Sequence, residues 1–599
     1  MRNMAVGSGR RLTPVAMAFA MCAALPGVVA AQTGTTPSNI GMAATFDSIS
    51  VTAVFSGDSN ANNSATIRFR PSGTSTWNDA YPPVVDRRTT IANQANPHVN
   101  QFRGSIVGLV PGSGYDVQVT VSDPDGISGS SVLSAVVWTL PPDVPLQGTT
   151  WYVDDVGTNG NGSSGSPFNS IPSALGVANP GDRIVLRGGT YPPFTVSKSG
   201  TSSGWIAIVG EDRDSTVITG GARNNVTISG DYIQVKNLRF KQSQNNSVEI
   251  GANRHHIWLD NLYHEDVSAQ RSYNDAGVLI NSGSHHVYVL NNTILAPGLT
   301  AAPAATPRWD SPGAGIHVNG AMAPEGTFVF KGNTIIGGFR DCIGNSGESF
   351  GSSTRSNTDI AQNTISGCKD DGIQMEGDDI NLRIWGNDIT ANNGYSAVAM
   401  SASFVGPVYV YRNVARLTWT ASAGNAFKIS GAVDTFYFHN TIETSGNAHD
   451  AFAGGAAGQV LKNNIIVSQA NPLYCMGTFG GSQFDYNLYY RPNGGNIVSW
   501  WNCVNYADFT TTAAFASATG QEVHGVTANP QFADSEKHVA AGSPAIDRGG
   551  LIPNFNDARS AWPYGGSAPD IGAHEVGAPA AAATSGPPPP SNVRVTGSF

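Results

Sequence analysis

From Trp151 onward, apolar and polar residues alternate in short bursts closed by Asn, Gly or Asp, and no long window sustains the apolar period of a helix. The bursts repeat. An asparagine followed by a small or apolar residue recurs in KNLRF at Asn237, DNLYH at Asn261, NNTIL at Asn292, GNTII at Asn333, QNTIS at Asn363, GNDIT at Asn387, RNVAR at Asn413, HNTIE at Asn440, NNIIV at Asn464 and YNLYY at Asn487, mostly about 24 residues apart. A period of that size predicts a solenoid. One coil cannot bury its apolar side alone, whereas coils stacked about 4.8 Å apart complete one another's backbone hydrogen bonds. The asparagines are expected to form a ladder at a tight turn, where Asn tolerates left-handed geometry.

A second phase of the repeat aligns on its small residue in DAGVLIN, GAGIHVN, RDCIGNS, DDGIQME, YSAVAMS, GNAFKIS and HDAFAGG. Val278, Ile316, Ile343, Ile373, Val398, Phe427 and Phe452 are expected to face inward, and Leu279, His317, Gly344, Gln374, Ala399, Lys428 and Ala453 to form an outward column. The position before the small residue reads Asp341, Asp371, Ser396, Asn425 and Asp450. In this alignment Asp370, Asp371 and Lys428 line one groove.

Residues 38–141 differ. SISVTAVF, SATIRFRP and YDVQVTVS are period-two strands, and LVPGSGYDVQVTV resembles the corner before the F strand of fibronectin type III domains, where a tyrosine, here Tyr115, anchors the turn through its hydroxyl. A β-sandwich with a spacing or docking role is expected, joined by a linker over 142–150. The run from Trp151 through PGDRIVLRGGTY resembles the opening of secreted right-handed parallel β-helices, with a short helix from Ser170 to Ala178 capping the open end. The fold class is therefore all-β: a fibronectin type III-like β-sandwich, then a right-handed parallel β-helix over 151–576. Asp547, Asp570 and Glu575, near its end, are read as turn and cap residues, and 577–599 as a Pro/Ala-rich tail.

Residues 1–31 have the basic start, short apolar run and small-residue end of a secretory signal peptide, so a secreted protein, extracellular or periplasmic, with no membrane span is expected. Removing its three arginines takes the net charge from −10 to −13. That charge argues against general nucleic-acid binding, and an acidic polymer would need local cations. Four cysteines remain, Cys342, Cys368, Cys475 and Cys503. Pairs 342–368 and 475–503 each span about one coil, and the other two pairings stay open.

Three carboxylates, Asp341, Asp370 and Asp371, repel one another unless a cation lies among them, and hard oxygen ligands favour Ca²⁺ over Zn²⁺. Glu376 or the Gln374 carbonyl would complete the set. The plainer reading is that Asp before Gly is turn chemistry. Lys428 could act as a base if neighbouring cations lowered its pKa, and a cation would also acidify the proton alpha to a uronate carboxylate, which points to β-elimination. His317, Gln374, Tyr395, Asn425 and His449 are candidates for sugar contacts.

DDGIQMEG, GNAFKISG and the HDAF stretch, with the Trp151 opening, resemble the polysaccharide lyase family 9 pectate lyases. The resemblance implies a calcium site at Asp370 and Asp371 with Asp341 from the preceding coil, Lys428 as base, and an acidic polysaccharide as substrate of a monomeric enzyme. Where the family runs Asp-Asp-Gly-x-Asp, this chain has Gln374 last. Two other readings stand beside it: a glycoside hydrolase using Asp370, Asp371 and Asp450, although no Gly-His-Gly or Arg-Ile-Lys run is present, and a non-catalytic glycan-binding surface protein.

Overall fold

The computed structural model describes residues 32–221, 223–265, 267, 275–296, 313–347, 349–351, 354–392, 396–418, 425–451, 456–475, 481–500 and 507–577. Residues 1–31, read from the sequence as a signal peptide, and nearly all of the Pro/Ala-rich tail therefore lie outside the described residues.

Three thirteen-stranded sheets run the length of the solenoid, each coil giving one strand to each sheet. The first extends from Thr150–Val153 to Gln483–Asp485, the second from Gly189–Tyr191 to Val526–Thr527, and the third from Phe194–Val196 to Ala507–Phe509. Pairing is parallel throughout except at the last pair of the third sheet, where Val498–Trp500 meets Ala507–Phe509 antiparallel. The interior is filled by stacked apolar columns such as Val278, Ile316, Ile343, Ile373 and Val398, all buried. The helix Ile171–Val177 closes one end of this core with Ile171, Ala174 and Leu175. At the other end, Phe515 of the helix Thr512–Thr519 packs on Trp500.

The small residue of each third-sheet strand has a steric cause. A Cβ on Gly277 or Gly315 would lie 2.5 Å from the Cγ2 of Ile294 or Ile335, and one on Gly372 3.0 Å from that of Ile389. These isoleucines come from the second sheet and fill the corner. Cys342 occupies the same column and is bridged to Cys368, with Cα atoms 5.6 Å apart. Cys475 is also in a disulfide, while Cys503 lies outside the described residues.

The asparagine ladder runs from Asn292 through Asn333, Asn363, Asn387, Asn413, Asn440 and Asn464 to Asn487. In each step the backbone N–H of one asparagine donates to the Oδ1 of the next at 2.9–3.1 Å. Its Nδ2 donates to a carbonyl one coil back, as from Asn387 to Ile360 and from Asn413 to Ile384, both 2.9 Å. Two expectations need correction. The left-handed residue is the one before the ladder asparagine, for example Asn291, Gln362, Arg412 and Asn463. Asn237 and Asn261 also occupy that left-handed position, and the ladder slot in their coils holds buried Leu238 and Leu262. The ladder is entered from there, with the Leu262 N–H donating to Asn292 Oδ1 at 2.7 Å.

A further correction concerns the coil after Lys428. Phe427 pairs with His449 and Asn425 with Asn447, so the small residue there is Ala448 and Asp450 pairs onward with Tyr474. The phase was hidden because an imidazole fills the inward apolar slot. Phe452 and Ala453 lie outside the described residues.

Residues 35–138 form two four-stranded antiparallel sheets, one ordered Thr35–Ala44, Ser48–Gly57, Gln101–Val107, Val84–Asp86 and the other Val132–Trp138, Gly114–Ser122, Ser64–Pro71, Asn78–Asp79. They enclose a core including Ile49, Phe69, Phe102, Val117 and Val119, and the Tyr115 hydroxyl accepts from the Val110 N–H at 2.9 Å. This sandwich lies flat against the solenoid's first sheet. Phe46 packs on Trp258 and Tyr288 with centroids 5.3 and 5.4 Å away, and Tyr81 on Phe436 and Phe438 at 5.2 and 5.1 Å. Between these patches, fully buried Arg383 pairs with Asp359 at 2.5 Å and donates to Ser50 and Ser105.

Asn413→Ala removes an acceptor from the Asn387 N–H and a donor from the Ile384 carbonyl, both inside the solenoid. A loss of about 2–4 kcal/mol in unfolding free energy is expected, read as a lowered urea midpoint at unchanged slope.

Candidate functional site

Two adjacent third-sheet strands bring the acids together. Asp341–Ser346 and Asp371–Gln374 pair with Ile343 opposite Ile373, which sets Asp341 and Asp371 at the same height of successive coils, with Asp370 just before the second strand. Carboxylate oxygens of Asp341, Asp370 and Asp371 lie within 4.8 Å of one another. The chain continues through Asp371 opposite Ser396, Gln374 opposite Ala399, and Ala399 opposite Lys428. Lys428 thus stands two coils beyond Gln374. Its stem reaches back toward the acids, with Nζ 3.6 Å from Asp371 Oδ2 and 3.6 Å from Glu376 Oε1. The amine is not sealed by this pairing, since 30 % of the Lys428 side chain is exposed.

The electrostatics are those of crowded, desolvated anions. Asp341 is fully buried, and burial, then the neighbouring Asp371 carboxylate, push its pKa up to about 8. Its Oδ2 takes a hydrogen bond from Arg340 Nε at 3.0 Å and its Oδ1 one from the Asp371 N–H at 3.2 Å. Asp371 is raised to about 6, mainly by burial, with Lys428 opposing. Its Oδ1 accepts from the Ser396 hydroxyl, whereas its buried Oδ2 has no hydrogen-bond partner among the described residues. For Lys428 burial pulls downward, but Asp371 and Glu376 outweigh it and the net pKa is raised, so the lysine is an ammonium in the metal-free chain.

The residues present fit a hard dication. Three carboxylates converge, two carry pKa values raised chiefly by burial, and one buried oxygen has no hydrogen bond among the described residues; a cation among them would offset all three. Glu376 stands apart from this cluster, on the lysine side. Its Oε1 accepts from the Ser401 N–H at 3.1 Å, and its backbone is gripped by Asn345 and Arg355. Gln374 donates from Nε2 to the Asn345 carbonyl at 3.4 Å.

His317 lies on the lysine column, opposite Gly344, but is buried, and burial followed by Arg340 lowers its pKa to about 4. It faces the site as a neutral imidazole. Asn425 is half-buried at the start of the Lys428 strand. His449 is enclosed in the solenoid, with Nε2 3.0 Å from Gln459 Oε1 and its ring edge-on to Tyr437, which makes it a core residue rather than a groove residue. Tyr395 lies outside the described residues. Sequence reasoning passed over Arg340 and Ser396. Arg340 precedes an aspartate in the repeat and Ser396 shares the Asp371 column, but neither residue type announces a buried bond to a carboxylate.

Comparison with known proteins bears on the fold. The sequence family described as Pel9A-like, right handed beta helix region, matches residues 151–298. No curated protein sequence matches the chain. Two similar solved structures are a pectate lyase Pel9A (17% identity, TM-score 0.39, covering 72% of this chain and 97% of that one) and an alginate lyase from Paenibacillus sp. str. FPU-7 (18% identity, TM-score 0.36, covering 51% and 97%).

Because the folded state binds protons at Asp341 and Asp371 more tightly than the unfolded chain does, the stability these two groups contribute is greatest in acid and is lost as pH rises from about 4, the unfolded value, through about 6 and 8. In calcium-free buffer the melting temperature is expected to fall across that window, and Asp341→Asn to remove most of the fall, as followed by circular dichroism.

Proposed function

We propose that this chain is a secreted polysaccharide lyase that cleaves a uronate-containing polymer by β-elimination, with Lys428 as the base. The observation that carries this reading is the placement of one partly exposed amine 3.6 Å from the edge of a three-carboxylate cluster on a single sheet face. Asp341, Asp370 and Asp371 would hold Ca²⁺. When bound, that ion supplies positive charge that offsets the carboxylates around Lys428, lowering the lysine's proton affinity, and that binds a uronate carboxylate.

The protein's own groups do the rest. Lys428 Nζ, as the free amine, takes the proton from the carbon alpha to the uronate carboxylate; the electron pair forms a double bond to the beta carbon, and the glycosidic C–O bond there breaks. The leaving oxygen departs with a proton from solvent, giving an unsaturated sugar end. Arg340 and Ser396 position the acids, Arg340 through Asp341 and Ser396 through Asp371. Half-buried Asn425 starts the strand that carries Lys428, and Glu376 orients the lysine stem. The sandwich, of the fibronectin type III kind by its strand order and tyrosine corner, is a docked support for the solenoid.

A hydrolase on the same scaffold is less well served. Carboxylate oxygens within 4.8 Å leave less than the roughly 6.5–9.5 Å an inverting pair needs for its water, and hydrolysis gives the lysine no task.

Ultraviolet absorbance of unsaturated product is expected with pectate, alginate or a related polyuronate and to disappear on chelation. Lys428→Ala should lower kcat/KM by about 10²–10⁴-fold while polymer binding persists. Reducing ends released without absorbance would replace the lyase reading with hydrolysis, and binding without turnover would replace it with adhesion.

A further inference from the structure

A second cluster of chemistry-bearing side chains lies on a different face. The strands His255–Asp260 and His285–Leu290 of the first sheet each begin with a histidine pair, and His255 is in register with His285. Both second members, His256 and His286, have left-handed backbone, with φ of 55° and 52°. At such a corner consecutive side chains splay, yet here they turn toward each other. His255 Nδ1 is 3.0 Å from His256 Nδ1, and His285 Nδ1 is 2.7 Å from His286 Nδ1. The next coil repeats the arrangement, so that His256 stacks on His286 with centroids 4.5 Å apart and His255 on His285 at 4.9 Å.

We propose that His256, His285 and His286 form a binding site for one divalent transition-metal ion of the zinc class. Each offers a ring nitrogen, and the three nitrogens lie within 4.8 Å of one another. A tetrahedral ion with Zn–N bonds of about 2.0–2.1 Å holds its ligand nitrogens about 3.3 Å apart, so binding requires His286, stacked on His256 at an interplanar angle of 11°, and His285 to tilt toward a point shared with the His256 ring. All three are half-buried and therefore reachable from solvent, and His286 borders a 640 Å³ cleft between the solenoid and the sandwich.

An all-imidazole donor set selects the metal. Imidazole suits zinc, nickel and copper, whereas calcium prefers oxygen donors. Tyr232 stacks on His256 at 4.4 Å and Trp205 meets its ring edge-on, fixing its orientation. His255 backs the site, with Nε2 3.7 Å from Asp231 Oδ2, a carboxylate placed to orient a ring next to a metal. The site is separate from the aspartate cluster, which lies on the third sheet, and it does not depend on the lyase reading.

The test uses tag-free full-length protein stripped with chelator and titrated with Zn²⁺ by calorimetry. One Zn²⁺ per chain is expected, with at least a tenfold loss of affinity in the His256→Asn/His286→Asn double variant, in which asparagine tolerates the left-handed backbone. His285→Gln, which leaves both corners untouched, should show the same loss, with circular dichroism confirming that each variant is folded. Asp371→Asn should bind zinc as the unaltered protein does, and Co²⁺ should give the d–d absorption of nitrogen ligation. Absence of zinc binding, equal affinity in the folded histidine variants, or loss of binding in Asp371→Asn instead would each overturn the proposal.

Discussion

From Asn292 to Asn487, each coil of this solenoid is tied to the one before it through a buried asparagine that donates to a carbonyl one coil back and accepts the preceding ladder residue's N–H. A coil's turn would otherwise bury unpaired backbone groups, each costing about 1–3 kcal/mol. The ladder therefore does more than stabilise. It prevents a coil from slipping past its neighbour, and that fixed register places Asp341, Asp371, Ser396 and Lys428, far apart along the chain, on one strip of sheet.

Given that frame, the acidic strip is costly in itself. Asp341 and Asp371 are fully buried beside each other, and Arg340, Ser396 and Lys428 compensate them only in part. Elsewhere the same protein shows what full compensation looks like: Arg383 and Asp359, equally buried, meet at 2.5 Å with two hydroxyls satisfying the guanidinium. The contrast separates an interface from a site. At the sandwich contact the charges close on one another, while in the groove three carboxylates converge with only Arg340, Ser396 and Lys428 set against them.

The sandwich, too, takes its meaning from this packing. Aromatic patches around Phe46 and Tyr81 flank the buried ion pair, so the unit is seated on the first sheet and leaves the third sheet, with the acids and Lys428, uncovered by it. The histidine corner lies where the seated sandwich and the first sheet form a cleft.

Much of the architecture was legible in the sequence because a repeat writes the same physical demand many times. Asparagines at about 24-residue spacing, small residues before an apolar one, and a tyrosine five residues after Val110 each have one dominant structural use. The phase failed where a residue broke that habit. Leucines took the ladder slot in the early coils, and His449 entered the core as a neutral ring bonded to Gln459. The sequence alone thus determined the winding, the inward columns and the alignment of Asp341, Asp371 and Lys428, since these follow from local period and side-chain size. Only the tertiary structure decided which acids converge, that Glu376 belongs to the lysine rather than to the aspartates, that Arg340 and Ser396 hold the cluster, and that two histidine pairs face each other. Those outcomes depend on burial and on side-chain direction across coils, and neither is encoded in spacing along one strand.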